Sequence, residues 1–140
     1  MTAPDDAGRG RRARISRSRD FDAVYRRGRS TAGRHLVVYL FPREGESGAD
    51  PRLGLSVSRK VGGAVERNRV KRVLREQFAA IQGMVPGDTD VVVIARPGVT
   101  EYIDERGSAA LGERLRELLE RGLGERAVAD GAATADGAAA

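Results

Sequence analysis

The hydrophobic pattern is clearest between residues 65 and 81, where apolar side chains recur at helical spacing. Because an α-helix turns by about 100° per residue, residues three or four positions apart share one side of the helix. One side of the predicted helix is therefore mostly apolar and suited to burial in a core. Its members are Val70, Val73, Leu74, Gln77 and Ile81.

The opposite side of this helix is predicted to be cationic. Along the helix, only Glu66 and Glu76 could neutralise it by pairing at i,i+4 spacing, and two acids are too few. A solvated helix face is the plainer alternative, but such faces usually mix signs, and guanidinium groups match phosphate oxygens with forked donors. The pattern favours a phosphate-rich partner, and nucleic acid is the first candidate. The stripe is Asn68, Lys71, Arg72 and Arg75, with Arg67 and Arg69 on its flanks.

Three segments carry strand patterns. Residues 35–41 alternate between two largely apolar faces, of which one would support helices and the other would form a partly exposed floor. His35, Val37, Tyr39 and Phe41 share one face, and Leu36, Val38 and Leu40 share the other. Residues 52–60 alternate apolar side chains with small or hydroxylated ones. Residues 91–95 are a continuous apolar run that is typical of a central, buried strand.

Two further helices complete the pattern. The first would begin near Ser18, a good N-cap, and end at Gly28; Phe21 and Tyr25 share one of its faces. The spacing alone leaves open whether these aromatics belong to the core or to a site. The order helix, strand, strand, helix, strand, helix predicts an α+β sandwich with one sheet packed by about three helices. The last helix carries an apolar stripe of Leu111, Leu115, Leu118 and Leu119.

Length and composition bound the domain organisation. At 140 residues, the chain has room for one core. We predict a disordered N-terminal tail and basic arm at 1–13, a single α/β domain at 14–123 and a disordered, Ala/Gly-rich tail at 124–140. No segment approaches the roughly 20 apolar residues that span a bilayer, and no signal peptide is evident, so we expect a cytoplasmic protein. The basic arm contains Arg11, Arg12, Arg14 and Arg17.

The charge is unevenly distributed along the chain. Residues 9–75 carry 19 Lys and Arg against 6 Asp and Glu, whereas residues 76–140 carry 6 against 12. The first half therefore has the electrostatic character of a polyanion-binding protein, and the second half resembles a scaffold. The absence of cysteine excludes disulfides and thiolate metal sites. The one histidine, His35, is more readily explained as structural than as a ligand.

These residues carry a resemblance to a known family. Residues 54–78, G-L-S-V-S-R-K-V-G-G-A-V-E-R-N-R-V-K-R-V-L-R-E-Q-F, resemble the signature segment of the protein subunit of bacterial ribonuclease P. The segments R-S-R-D-F-D-A-V-Y-R-R-G before it and V-V-V-I-A-R-P after it also match the family's layout. The resemblance covers about residues 14–121, and the Arg-Asn-Arg box at 67–69 is its most specific part.

The resemblance implies a four-stranded sheet with an unusual left-handed βαβ crossover that contains the Arg-Asn-Arg helix. A further strand would lie in 29–35 or 43–50. The family's aromatic cleft for the 5′ leader of precursor tRNA maps to Phe21, Tyr25 and Tyr39; Tyr25 stands where phenylalanine is common, and stacking survives that change. The residues implied to bind the catalytic RNA subunit are Arg67, Asn68, Arg69, Lys71, Arg72 and Arg75, together with Arg59 and Lys60.

The implied function is that of the accessory protein in ribonuclease P, an endoribonuclease whose RNA subunit removes the 5′ leader from precursor tRNA. Magnesium would be held mainly by the RNA, with none bound by the protein alone, and no catalytic residue is assigned to this chain. Its dispersed acids and single histidine offer no acid–base pair or metal cluster of their own. The expected partners are the catalytic RNA and precursor tRNA, with no membrane and no obligate protein partner. The main alternative is a ribosomal or ribosome-associated RNA-binding protein; a protein-only nuclease is a remote third.

Overall fold

The computed structural model describes residues 29–42 and 50–139, with side chains described as far as Gly124. A short 3-10 turn, Gln82–Met84, follows the first helix. The strands are β1 (Arg29–Ala32), β2 (Leu36–Pro42), β3 (Arg52–Val57) and β4 (Thr89–Ala95), and the helices are α1 (Ala64–Ile81), α2 (Val99–Arg106) and α3 (Ser108–Ala139).

The four strands form one mixed sheet in the order β1-β2-β4-β3. β1 pairs with β2 and β2 with β4 in antiparallel fashion, whereas β3 and β4 run parallel. Parallel neighbours require a crossover, and α1 supplies it between β3 and β4. The prediction of an α+β fold with a four-stranded sheet packed by helices is thus confirmed. The left hand implied for the crossover stays a prediction.

The core lies between the sheet and the three helices. Alternate residues of β2, Leu36, Val38 and Leu40, point into it and are at most 2% exposed. Helix α1 buries Val70, Val73 and Leu74 as predicted, while the predicted members Gln77 and Ile81 are only half-buried. Phe78, which the predicted stripe omitted, is buried instead, because it lies one turn beyond Leu74 on the same side. The burial of this side fixes which residues of α1 face outward.

Two elements were not predicted from the sequence. β1 lies within residues 29–35, one of the two segments in which the resemblance allowed a further strand. Helix α2 follows Gly98, whose backbone adopts φ 97° as the N-cap, and ends before Gly107 at φ 92°. Its signal was present in the i,i+4 pair Val99 and Ile103, both buried.

The predictions for the two ends of the chain have different outcomes. Helix α3 continues to Ala139, through residues for which the sequence predicts a disordered tail. The predicted first helix at 18–28 and the basic arm, with Arg11, Arg12, Arg14 and Arg17, lie outside the described residues. The domain boundaries therefore stay predictions.

A close approach of α3 to the sheet gives a stability prediction. A Cβ at Gly122 would lie 2.8 Å from Leu40 Cδ1 and 3.0 Å from Thr31 Oγ1, and both neighbours are buried. Gly122→Ala should therefore destabilise the protein by roughly 1 kcal/mol, since overpacking typically costs about 1–3 kcal/mol and the better helix propensity of alanine offsets part of it. Denaturant unfolding measures the change.

Gly124→Ala is the matched control for this substitution. It lies in the same helix, and a Cβ there would meet no atom within 4 Å. The control should be stabilised by about 0.5–1 kcal/mol, because only the helix propensity changes. Equal stabilisation of both variants would contradict the packing of α3 against β1 and β2.

Candidate nucleic-acid interface

The outward side of α1 presents a cationic surface. Asn68 and Arg72 are exposed, and Lys71 and Arg75 are half-buried. Arg59 and Lys60, in the loop that precedes the helix, are also exposed and adjoin this surface in sequence. Within the described part of the chain, four of these cations form no ion pair: Arg59, Lys60, Lys71 and Arg72. We call Arg59, Lys60 and the cationic stripe of α1 with its flanks the basic surface.

The two arginines of the Arg-Asn-Arg box are less accessible than their neighbours. Arg69 is half-buried, and its Nη1 lies 2.7 Å from Asp104 Oδ1 of α2 and 4.0 Å from Glu66 Oε2. Arg67 is half-buried too, and its Nε is a buried donor that finds no hydrogen-bond acceptor in the described structure. An unsatisfied buried donor carries a free-energy cost, which favours a change of rotamer once an acceptor comes within reach.

No local sequence pattern indicates the contact between Arg69 and Asp104. Helical spacing relates the stripe only to acids of its own helix, whereas Asp104 is 35 positions from Arg69 and belongs to helix α2, which was not predicted. Both residues were visible in the sequence, but their proximity depends on how α2 packs beside α1. The charge of Arg69 is therefore compensated more than the helical pattern indicated.

The second feature is the sheet face that points away from the described helices α1, α2 and α3. Val92 is fully buried there, and Tyr39, Phe41 and Ile94 pack around it as a small cluster separate from the main core. The register explains the grouping, because Tyr39 lies opposite Val92, and Val92 lies opposite Gly54 of β3. Tyr39, Phe41 and Ile94 are half-exposed. We call these four residues the open face; Tyr39 lies on the predicted floor, while Phe21 and Tyr25 lie outside the described residues.

A partly buried ion pair between Arg52 and Asp90 lies at one end of the open face. Arg52 donates from Nε to Asp90 Oδ1 at 2.8 Å and from Nη2 to Oδ2 at 2.7 Å. The two residues are register partners on β3 and β4, and Asp90 is also opposite Phe41 on β2. Because Asp90 is 1% exposed, the bidentate arginine compensates a carboxylate that has lost its water. The pair fixes the edge of the surface on which Tyr39 and Phe41 lie.

Comparison with known proteins identifies the family. The model of the family described as Ribonuclease P matches residues 10–121. The Halalkalibacterium halodurans ribonuclease P protein component is 42% identical over 98 residues, which are 70% of this chain and 81% of that protein. The Shouchella clausii protein of the same name is 49% identical over 83 residues, which are 59% of this chain and 66% of that protein. The chain belongs to the ribonuclease P protein family.

Solved structures of ribonuclease P proteins share the fold. The Thermotoga maritima protein aligns with a TM-score of 0.68 and 33% identity, covering 77% of this chain and 96% of that one. A Staphylococcus aureus structure gives 0.67 and 33%, covering 77% and 93%. The resemblance inferred from residues 54–78 is thereby confirmed, and with it the assignment to the protein component of the ribonuclease P ribonucleoprotein. The individual RNA contacts assigned to the basic surface and to Tyr39 stay predictions.

His35 takes part in packing in this ribonuclease P protein. Its ring lies 4.6 Å from the ring of Tyr102, measured between centroids, at an angle of 33°. Burial lowers the pKa of His35 below its ordinary value, and the nearby charges of Arg34 and Arg114 lower it further. Among residues 29–42 and 50–124, no three His, Cys, Asp or Glu side chains lie close enough to hold a metal ion. In the same part of the chain, no helix is both long and apolar enough to span a membrane.

The lowered pKa of His35 predicts a pH-dependent contribution to stability. The folded state disfavours the protonated ring, so this contribution is complete above the ordinary pKa of 6.5 and is lost as the pH falls through the folded-state pKa. We expect His35→Phe, which keeps an aromatic ring beside Tyr102, to lose less stability than the native chain between pH 7.5 and pH 5. Unfolding titrations at both pH values measure this difference. Identical losses in the two proteins would contradict the prediction.

Proposed function

We propose that this chain binds the catalytic RNA of ribonuclease P through the basic surface and the 5′ leader of precursor tRNA on the open face. In doing so it assists endonucleolytic removal of the leader, which gives the mature 5′ end of tRNA. Membership of the ribonuclease P family supports the reaction. The observation that carries the assignment of surfaces is the one-sided helix α1, whose apolar side is buried while its other side presents Lys71 and Arg72, neither of which forms an ion pair in the described structure.

The basic surface suits a folded RNA. Phosphates of RNA repel one another, and cations fixed on a rigid helix replace the mobile counterions that would otherwise have to be held there. Arg72 and Lys71 lie next to each other along α1 and above the buried Val70 and Val73, so their backbone positions are fixed by the core. Arginine adds forked donors for phosphate and a flat surface on which a base can stack.

The open face suits an unpaired strand. Tyr39 and Phe41 are two residues apart on β2, so both side chains point to the same side of the sheet. Aromatic rings bind successive bases by stacking, and this binding depends little on base identity. A stacking surface can therefore hold a leader whatever its sequence, which a set of base-edge hydrogen bonds could not. Phe21 and Tyr25 are proposed to contribute to the same cleft from the preceding segment.

The hydrolytic step is assigned to magnesium ions held by the RNA subunit, with no catalytic residue and no metal site of the protein's own. The arrangement of two groups that could otherwise serve in acid–base or metal chemistry supports this assignment. His35 packs on Tyr102, and Asp90 accepts two hydrogen bonds from Arg52. The role of the protein is then to bring two polyanions together and to hold the leader. Because this reaction matures tRNA, we place the protein in the cytoplasm with the RNA subunit as its partner and without an obligate protein partner.

Binding titrations test the proposed partners. We expect tighter binding to the catalytic RNA than to an unrelated structured RNA of equal length, and the assembled complex should prefer leader-bearing tRNA over leaderless tRNA. A ribosomal RNA-binding protein would bind neither the catalytic RNA nor the leader preferentially. Equal affinities in both comparisons would therefore contradict the proposed function.

A further inference from the structure

Asp104 places a negative charge against the basic surface. Its Oδ1 lies 2.7 Å from Arg69 Nη1, the side chain of Arg69 is 30% exposed and that of Asp104 is 59% exposed. Glu66, in the first turn of α1, lies at 4.0 Å from the same nitrogen. Two carboxylates therefore lie within 4.0 Å of the same nitrogen of the Arg69 guanidinium.

The position of Asp104 is set by the core. Helix α2 buries Val99 and Ile103, which are 0% and 3% exposed, and Asp104 follows Ile103 directly. Gly98 and Gly107, both at positive φ, allow the chain to turn at the two ends of this eight-residue helix. The carboxylate is thus carried on a short, anchored element rather than on a free loop.

We propose that Asp104 competes with RNA phosphate for Arg69 and so lowers the affinity of the basic surface. In the free protein, Asp104 holds the Arg69 guanidinium. On binding, a phosphate oxygen takes the place of the carboxylate oxygen on Nη1, and Asp104 returns to water. The identity of the RNA in this inference rests on the proposed function. The competition itself does not, because Asp104 would compete with any polyanion that binds at this surface.

A comparison of Arg69 with Arg72 shows how the ion pair with Asp104 should affect phosphate binding. Arg72 is exposed and forms no ion pair with a described residue, so its charge is available to a phosphate as it stands. Arg69 must first give up a partner at 2.7 Å, and the carboxylate that remains nearby repels the incoming phosphate. Arg69 should therefore release fewer counterions on binding than Arg72, although both belong to the same helix.

Asp104→Asn tests the competition, with Glu105→Gln as the matched control. Glu105 is the next residue of α2, is exposed and forms no ion pair in the described structure, so both variants remove one negative charge from nearly the same place. We expect Asp104→Asn to bind the catalytic RNA about two- to fivefold more tightly in low salt, the scale of an exposed ion pair, with a steeper salt dependence. Glu105→Gln should show a smaller change.

Combining the variants isolates Arg69. Arg69→Ala should weaken binding more in the Asp104→Asn background than in the native chain, because there the guanidinium has lost its partner at 2.7 Å and keeps only Glu66 at 4.0 Å. Weaker binding by Asp104→Asn, or equal gains in Asp104→Asn and Glu105→Gln, would overturn the proposal. Thermal unfolding of each variant shows that the comparison is made between folded proteins.

Binding to heparin tests the role of Asp104 independently of the proposed function. Heparin carries dense negative charge without any tRNA-processing role, so the ratio of Asp104→Asn to native affinity for heparin tests the competition alone. A gain on heparin without preference for the catalytic RNA would leave Asp104 as competitor and contradict the proposed function. If Asp104→Asn binds neither heparin nor the catalytic RNA more tightly than the native chain, the proposed role of Asp104 is contradicted. If the protein then still prefers the catalytic RNA over an unrelated RNA, the proposed function is supported.

Discussion

Replacing Arg59 and Arg72 together by alanine is expected to weaken binding of the catalytic RNA by roughly tenfold for each lost charge-assisted contact. Both side chains are exposed and neither forms an ion pair in the described structure, so each is free to meet a phosphate. The logarithm of affinity plotted against the logarithm of salt should flatten by about 0.9 for each lost phosphate contact. Filter binding across a salt series measures both quantities.

Arg34→Ala provides the control for this loss of charge. Arg34 is exposed in the turn between β1 and β2, and β1 is at the edge of the sheet opposite β3, against which α1 packs. Its removal should change the salt slope little. Arg69→Ala in the native chain should fall between Arg34→Ala and Arg72→Ala, because Asp104 already compensates Arg69. An unchanged slope in the double variant would contradict the assignment of the basic surface.

Tyr39→Ala should reduce the affinity of the assembled complex for precursor tRNA by about 1–3 kcal/mol, the usual contribution of one stacking partner. Mature tRNA should bind as before, since it has no leader to reach the open face. Tyr39 packs against Val92 but is only half-buried, so the fold should survive its removal. Parallel titrations with leader-bearing and leaderless tRNA measure the difference.

Tyr39→Phe is the matched variant for this test. It keeps the ring and removes only the hydroxyl, so it should bind leader-bearing tRNA nearly as well as the native chain if stacking is the main interaction. Denaturant unfolding of both variants measures any loss of packing around Val92. A large loss of stability with equal effects on the two tRNAs would place Tyr39 in the structural core and remove it from the leader site.

The parts of the fold with local sequence signals could be predicted. Alternation in residues 35–41 divided the side chains between two faces, because a strand points successive side chains to opposite sides, and the structure shows which face is buried. The side of α1 with Val70, Val73 and Leu74 followed from helical periodicity. The apolar run at 91–95 identified an interior strand, and β4 does lie between β2 and β3.

The parts that depend on distant contacts could not be predicted. β1 has four residues and one buried side chain, too little for an alternating pattern, and it is defined by its pairing with β2. The pair of Arg52 with Asp90 spans 38 positions, and it forms because the sheet places β3 beside β4. The leader site depended on the family resemblance, since helical spacing could not decide whether Phe21 and Tyr25 belong to a cleft or to the core.

Cleavage of precursor tRNA in magnesium, with the purified protein alone, a bacterial ribonuclease P RNA alone, or both together, tests the central claim most directly. We predict no cleavage by the protein alone, and more efficient release of the 5′ leader at the mature end when the protein is added to the RNA than with the RNA alone. Cleavage by the protein in the rigorous absence of that RNA, or no effect of the protein on the RNA-catalysed reaction, would contradict the account.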